Sequence, residues 1–279
     1  MGTDKRSRQK ANKAKKLAEQ QQEQRQARVR RLIFLAVAGT VAVVGITAIL
    51  SFTGSDEEEE AQADISTESS TTTTEADLPA AVTAPEPGAT IEGPADCPEA
   101  DGSSERVTQF SETPPMCIDE NATYIAEFDT TAGAITVELD ASAAPTTVNN
   151  FVFLARYHYY DGTAFHRIVP GFVIQGGDAV GEPLGTGNPG YLIEEEPPEP
   201  GAYQVGSLAM AKASGPQQTG SQFFFVTGPQ GEALPNEYSL FGTVTEGLDV
   251  VHTIEDTPTN RADYPTEEIY INSVTITEG

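Results

Sequence analysis

The chain has 279 residues, 38% of them hydrophobic, with 16 Lys+Arg against 42 Asp+Glu and a formal net charge of -26. That length allows one or two domains, and so acidic a body repels a phosphate backbone, which excludes nucleic acid as a partner. The average hides two unlike pieces: residues 1–31 hold 11 basic and three acidic residues, net +8, while everything after residue 52 holds 5 basic and 39 acidic, net -34.

In chain order, residues 1–31 are rich in Lys, Gln, Ala and Arg, good helix formers without an apolar stripe, and read as a basic, solvated cytoplasmic tail. Residues 32–50, LIFLAVAGTVAVVGITAIL, carry no charge. As a helix they would rise about 28 Å, roughly one hydrocarbon thickness. With basic residues before this run and the acidic residues 56–60 after it, the positive-inside rule predicts a single-pass transmembrane helix over 32–52. The expected location is a bacterial cell membrane, with the N-terminus cytoplasmic and the body outside. The alternative is a cleaved signal peptide, whose apolar core usually runs only about 7–15 residues.

Residues 53–95 contain DEEEE, STESSTTTTE and APEPGATIEGP. Such a stretch buries too little to offset ordering entropy and reads as a disordered acidic, Thr- and Pro-rich linker. A Cys-containing extension follows over 96–122. On the exported side an oxidising compartment permits a Cys97–Cys117 disulfide, the alternative being two free thiols. No His lies near either one, which argues against a metal site.

Residues 123–279 form the globular body. Runs 124–129 and 133–140 read as strands paired around a Thr-Ala-Gly turn, with Ile135, Val137 and Leu139 on one face. Residues 145–157 read as a helix with Pro145 in its first turn and Val148, Phe151, Val152, Leu154 and Ala155 as its apolar side. Short apolar runs follow at 172–175, 207–211, 222–227 and 240–244, then a second short helix at 248–254 and a last strand at 269–276. Many short strands with two helices predict a mainly β fold, a closed antiparallel barrel capped by helices.

Most enzyme constellations are absent from this sequence. It has only three histidines, His158, His166 and His252, no HExxH and no G-x-S-x-G. Residues 185–190 match GxGxxG literally, but they lack the strand–turn–helix context of a nucleotide site and read as loop. Glu194, Glu195 and Glu196 read as a solvated acidic loop in preference to calcium ligands. What remains is 165–178, FHRIVPGFVIQGGD, where Arg167, Phe172 and Gln175 stand among apolar residues punctuated by Pro170-Gly171 and Gly176-Gly177. A few polar groups in an apolar patch are what a small recognition pocket needs. The plainer alternative for Arg167 is a structural ion pair with a nearby acid.

That stretch resembles the signature of the cyclophilins. SLAMAKA at 207–213, GSQFFFVT at 220–227, the early block GAITVELDASAAPTTVNNFVFLARYHYYDGTAFHR and the late block NEYSLFGTVTEGLDVV follow the family order. The similarity spans 124–279. It implies a closed barrel of about eight antiparallel strands with two capping helices, and a peptidyl-prolyl cis-trans isomerase of exported or envelope proteins that needs no metal or cofactor. By the same resemblance Arg167 is the catalytic arginine, Gln175 its polar partner, and Phe172, Phe224 and Leu234 the floor of a proline pocket. His166, Val173, Ala211, Lys212, Ala213, Gln222 and Tyr238 are flanking substrate contacts. Val173, Lys212 and Tyr238 depart from the commonest family residues Met, Asn and His, and Ala233 replaces a Trp that contacts cyclosporin. The loop 214–219 looks like the site of a one-residue insertion. The expected partners are proline-containing polypeptides and, through one N-terminal helix, the membrane; the chain is expected to be monomeric. A domain that holds proline segments with little catalysis is the competing reading.

Overall fold

A computed structural model describes residues 85–212 and 219–279. In chain order the strands are β1 (Ala89–Ile91), β2 (Val107–Phe110), β3 (Tyr124–Thr130), β4 (Gly133–Leu139), β5 (Thr163–Ala164), β6 (Arg167–Val169), β7 (Val173–Gly176), β8 (Ser207–Lys212), β9 (Thr219–Val226), β10 (Leu240–Glu246) and β11 (Tyr270–Glu278). The helices are α1 (Pro145–Arg156), α2 (Pro229–Glu232) and α3 (Leu248–Glu255).

Strict alternation builds the first hairpin. Along β3 and β4 every second residue is buried, among them Tyr124, Ala126, Phe128, Ile135, Val137 and Leu139, so one face of the pair meets the core. Their antiparallel register runs from Tyr124 opposite Leu139 to Thr130 opposite Gly133. Nine strands then share one sheet in the order β5-β11-β3-β4-β10-β8-β9-β7-β6. The predicted closed eight-stranded barrel is corrected on two counts. The sheet has nine strands, not eight, and its two shortest members, β5 and β6, carry no readable period and end it without pairing to each other, which leaves a curled, open half-barrel.

Helix α1 packs against β11 and β9. Its Pro145 needs no N–H partner in the first turn, but Ala144 at its N-cap offers no side-chain acceptor. Glu196 supplies one from a distance. Its carboxylate accepts from Thr146 N (3.0 Å), Thr147 N (2.8 Å) and Thr147 Oγ1 (2.7 Å). An anion at a helix N-terminus also meets the positive end of the macrodipole. The solvated-loop reading is therefore wrong for Glu196. Beneath the sheet, Phe128, Phe151, Phe223, Phe225, Phe241 and Tyr160 form an aromatic core, with Phe128 within 5.9 Å of Phe151, Phe223 and Phe225. Helix α3 packs against β4, β6 and β7.

The predicted linker ends earlier than expected, because β1 falls inside it and pairs in parallel with β2. Phe110 of β2 drives this segment onto the body, lying 5.0 Å from Phe153, 5.5 Å from Tyr157 and 6.1 Å from Tyr191. Cys97 and Cys117 are bonded to each other across a separation of 20 residues. Asn149 of α1 then ties down the second cysteine, accepting from Cys117 N at 2.7 Å and donating to Pro115 O at 2.9 Å.

Among the described residues no helix is long and apolar enough to cross a membrane. The predicted span over 32–52, the basic tail and linker residues 53–84 lie outside those residues. The membrane-anchored form, the membrane as partner and the bacterial-membrane location are accordingly withdrawn, and the function that follows from the site needs none of them.

Candidate active site

The sheet buries apolar residues on both faces where β6, β7, β9 and β8 run side by side. Inward go Ile168, Ile174, Leu208, Met210, Phe223 and Phe225, all part of the main core. Outward go Val173, Ala209, Phe224 and Val226, which with Tyr203 make a second, smaller cluster. Against it pack Phe172, Ala211, Leu234, Tyr238 and Leu240, each only partly buried. Side chains alternate across a strand, so a slot of this kind needs apolar residues at consecutive positions, and FFFV in β9 supplies them.

Register places the polar groups. Arg167 lies opposite Gln175, Gln175 opposite Phe224, and Phe224 opposite Ala209, one row across four strands. At its end the Arg167 guanidinium carbon sits 5.9 Å from the centroid of the Phe172 ring. Gln175 Nε2 donates to Gln222 Oε1 (3.0 Å), and Gln222 Nε2 donates to Gly187 O (3.0 Å). Tyr238 stands edge-on to Phe224, with centroids 5.5 Å apart, and the Lys212 ammonium lies 5.5 Å from the Tyr238 ring. A hydrogen bond from Tyr203 Oη to Tyr238 O (2.7 Å) holds that side.

The β6–β7 turn aims Phe172. Gly171 has φ +75, a left-handed conformation that L side chains resist, and its backbone is so close to Gly228 that a Cβ on Gly228 would come within 2.8 Å. Gly171 N donates to Glu255 Oε1 at 2.6 Å, and His252 Nδ1 lies 2.9 Å from Glu255 Oε2. Burial alone would raise the Glu255 carboxyl, but hydrogen bonds from its neighbours, Gly171 and His252 among them, hold it below its ordinary value. Thus α3 fixes the turn that presents Phe172.

The predicted site residues do not all converge. Arg167, Phe172, Val173, Gln175, Ala211, Lys212, Gln222, Phe224, Leu234 and Tyr238 gather at or around the slot. His166 stands apart by its burial: it is 3% exposed, packs against Gly185 and lies beside Gln222, behind the slot. Burial pushes its pKa below the ordinary histidine value, outweighing the Asp178 carboxylate that pulls the other way. Ala213 and the predicted loop 214–219, apart from Thr219, fall outside the described residues.

Other residues had no signal of their own in the sequence. Ala209 and Val226 follow from alternation once Ala211 and Phe224 are placed outward, but Tyr203 does not. Asp178 is buried and shapes the loop behind Gln222, accepting from the N–H groups of Val180, Gly181, Gly185 and Gly187 at 2.7–3.0 Å. The literal GxGxxG therefore wraps an internal carboxylate. Asp263, 96 positions from Arg167, meets it at 3.5 Å. The plainer reading of Arg167 as an ion-pair partner is thus met in part, but the pair is 38% and 45% exposed, and such pairs contribute about 0–1 kcal/mol.

Residues 125–276 match the family described as cyclophilin type peptidyl-prolyl cis-trans isomerase. Peptidyl-prolyl cis-trans isomerase B of Streptomyces anulatus is 42% identical over 170 residues, covering 54% of this chain and 95% of that protein. The human peptidyl-prolyl cis-trans isomerase-like 1 is 40% identical over 149 residues, covering 51% and 86%. Crystal structures of a cyclophilin type isomerase from Cryptosporidium parvum superpose with a TM-score of 0.50. One is at 32% identity, and one, at 33%, is titled as in the presence of the dipeptide Ala-Pro; both cover 56% of this chain and 99% of theirs. The match takes in more than half the chain and all of the outward slot: the chain belongs to the cyclophilin family and is a peptidyl-prolyl cis-trans isomerase, an enzyme that speeds rotation about X-Pro bonds.

Proposed function

We propose that the outward slot holds the proline ring and that Arg167 is the catalytic residue. The X-Pro amide resists rotation because resonance gives its C–N bond partial double-bond character, with a barrier near 20 kcal/mol. Twisting the bond removes that resonance and makes the proline nitrogen pyramidal and basic. A guanidinium N–H then donates to that nitrogen more strongly than to either planar isomer, and differential binding of this kind lowers the barrier. Phe172, Phe224 and Leu234 form the floor of the slot. Gln175, held by Gln222, steadies the polar end, and Val173, Ala211, Lys212, Ala213 and Tyr238 meet the residues flanking proline. His166 serves through its backbone, given where its side chain lies.

The observation that carries this reading is the row Arg167–Gln175–Phe224, which sets a cation at the end of an apolar slot on the outer face of the sheet. Arg167→Ala should lower kcat/KM for a short Ala-Pro peptide by about a hundredfold or more, on the scale of losing one transition-state donor. The thermal melt should stay put. Full turnover in an NMR exchange assay of that variant sinks the assignment.

Residues 123–279 act as the catalytic domain and 96–122 as its extension, and the clients are exported proteins. The disulfide supports the last point, because such bonds persist in oxidising compartments. Alkylation of Cys97 and Cys117 as free thiols in protein taken from its own cells would refute it.

A further inference from the structure

We infer that Asp263 is a positioning residue for Arg167, an inference that rests on Arg167 being the catalytic donor. It arises from the gap in the sheet. Strand β6 is an end strand, so its outer edge lacks a ladder partner among the described strands. The segment 259–265 covers that edge: Ile168 N donates to Asp263 O at 2.9 Å, and Phe165 N just before it donates to Ile269 O at 3.0 Å.

The segment is itself tied in place. Thr259 bridges to Pro265, and Asn260 N donates to Tyr264 O at 2.8 Å. The Asn260 side-chain oxygen accepts from Ala262 N (2.8 Å) and Tyr264 N (3.2 Å). Asp263 sits at its tip with φ +65. That left-handed conformation is disfavoured for most side chains but open to Asp, Asn and Gly. The strand edge and the turn together deliver the carboxylate to 3.5 Å from Arg167 Nη2.

An arginine at a half-exposed site samples many rotamers, and each must be given up when it donates to the rotating imide. Here the Phe172 ring restrains the guanidinium on one side and the Asp263 carboxylate restrains one terminal nitrogen. The guanidinium has five N–H donors, so others remain for substrate. Asp263 pairs with the cation, and the apolar floor is built from other residues. Its loss should therefore slow turnover and leave peptide binding alone.

The test uses Asp263→Asn and Asp263→Gly, both compatible with the left-handed backbone, and an uncharged Ala-Pro peptide. Each variant should lower kcat about two- to fivefold with KM within about twofold and an unchanged melt, the scale of a half-exposed ion pair. Raising ionic strength should bring the native kcat down toward that of the variants, whose own kcat stays flat, because the pair is screened. An unchanged kcat in both variants, or a fall that tracks a lowered melting temperature without the salt response, overturns the inference. Arg167→Ala, run alongside, separates the two failures: if it retains turnover, the parent reading falls; if it loses turnover while the Asp263 variants match the native enzyme, only the role of Asp263 falls.

Discussion

Phe224 and Phe225 are neighbours on one strand with opposite employment. Phe225 points inward with Phe223 and Phe128 into the main core, while Phe224 points outward with Val173, Val226 and Ala209 into the slot. Chemically the two side chains are identical, so only strand parity distinguishes a residue that fills the core from one that lines the slot. The lesson reaches beyond β9. A strand with apolar residues on both faces announces a second hydrophobic environment, here an open one.

The sharpest way to break this contrast is to truncate each side in turn. Phe225→Ala should lower unfolding free energy by about 3–5 kcal/mol, because the enclosed core cannot collapse around the hole. Phe224→Ala should lose only about 2 kcal/mol, the transfer contribution without most of the cavity penalty, since water can enter the slot. Activity should rank the other way at a temperature where both are folded, with kcat/KM of Phe224→Ala down about tenfold or more and that of Phe225→Ala near native. Equal losses in both assays for both variants would show that the two faces are not separate.

This contrast also explains what the sequence made legible. The β3–β4 hairpin and α1 announce themselves through period: alternation at Ile135, Val137 and Leu139, and an apolar stripe behind Pro145. Strands β5 and β6 are two and three residues long, too short for any period, so the ends of the sheet and its open seam stayed hidden. β1 sits in a Pro-, Gly- and Thr-rich stretch and is ordered by a partner 18 residues later, which composition cannot register. Most of the slot was legible because its residues lie in motif blocks. Glu196 and Asp263 were not, since each acts on a residue about 50 or 96 positions away and leaves no local pattern.

The extension offers a smaller test. Its Phe110 and Val107 belong to the inner core, and none of its residues belongs to the outward cluster. Replacing both Cys97 and Cys117 by Ser should therefore cost about 3 kcal/mol, the loop-closure scale for a crosslink of this span, and leave kcat unaltered in the folded protein. A change in kcat without a change in melting would mean that the extension reaches the slot after all, through its contacts with Asn188 and Pro189.

The smallest effect contrasts two neighbours at the start of β6. His166, just before the strand, is buried, whereas Arg167, the next residue, is 38% exposed. Burial holds the His166 pKa below its ordinary value, so as pH falls the unfolded chain takes up this proton first. Stability is then lost from about pH 6.5 downward, the unfolded value, until the folded-state pKa is reached, and is fully present above that window. Between pH 7.5 and 5.5 the native protein should therefore lose stability from this group. His166→Leu should remove that part of the slope. His158 and His252 are common to both proteins, so the difference between the two slopes isolates His166. Identical pH slopes in melts of the two would mean that His166 takes up its proton as readily folded as unfolded, and that its surroundings are wetter than its 3% exposure implies.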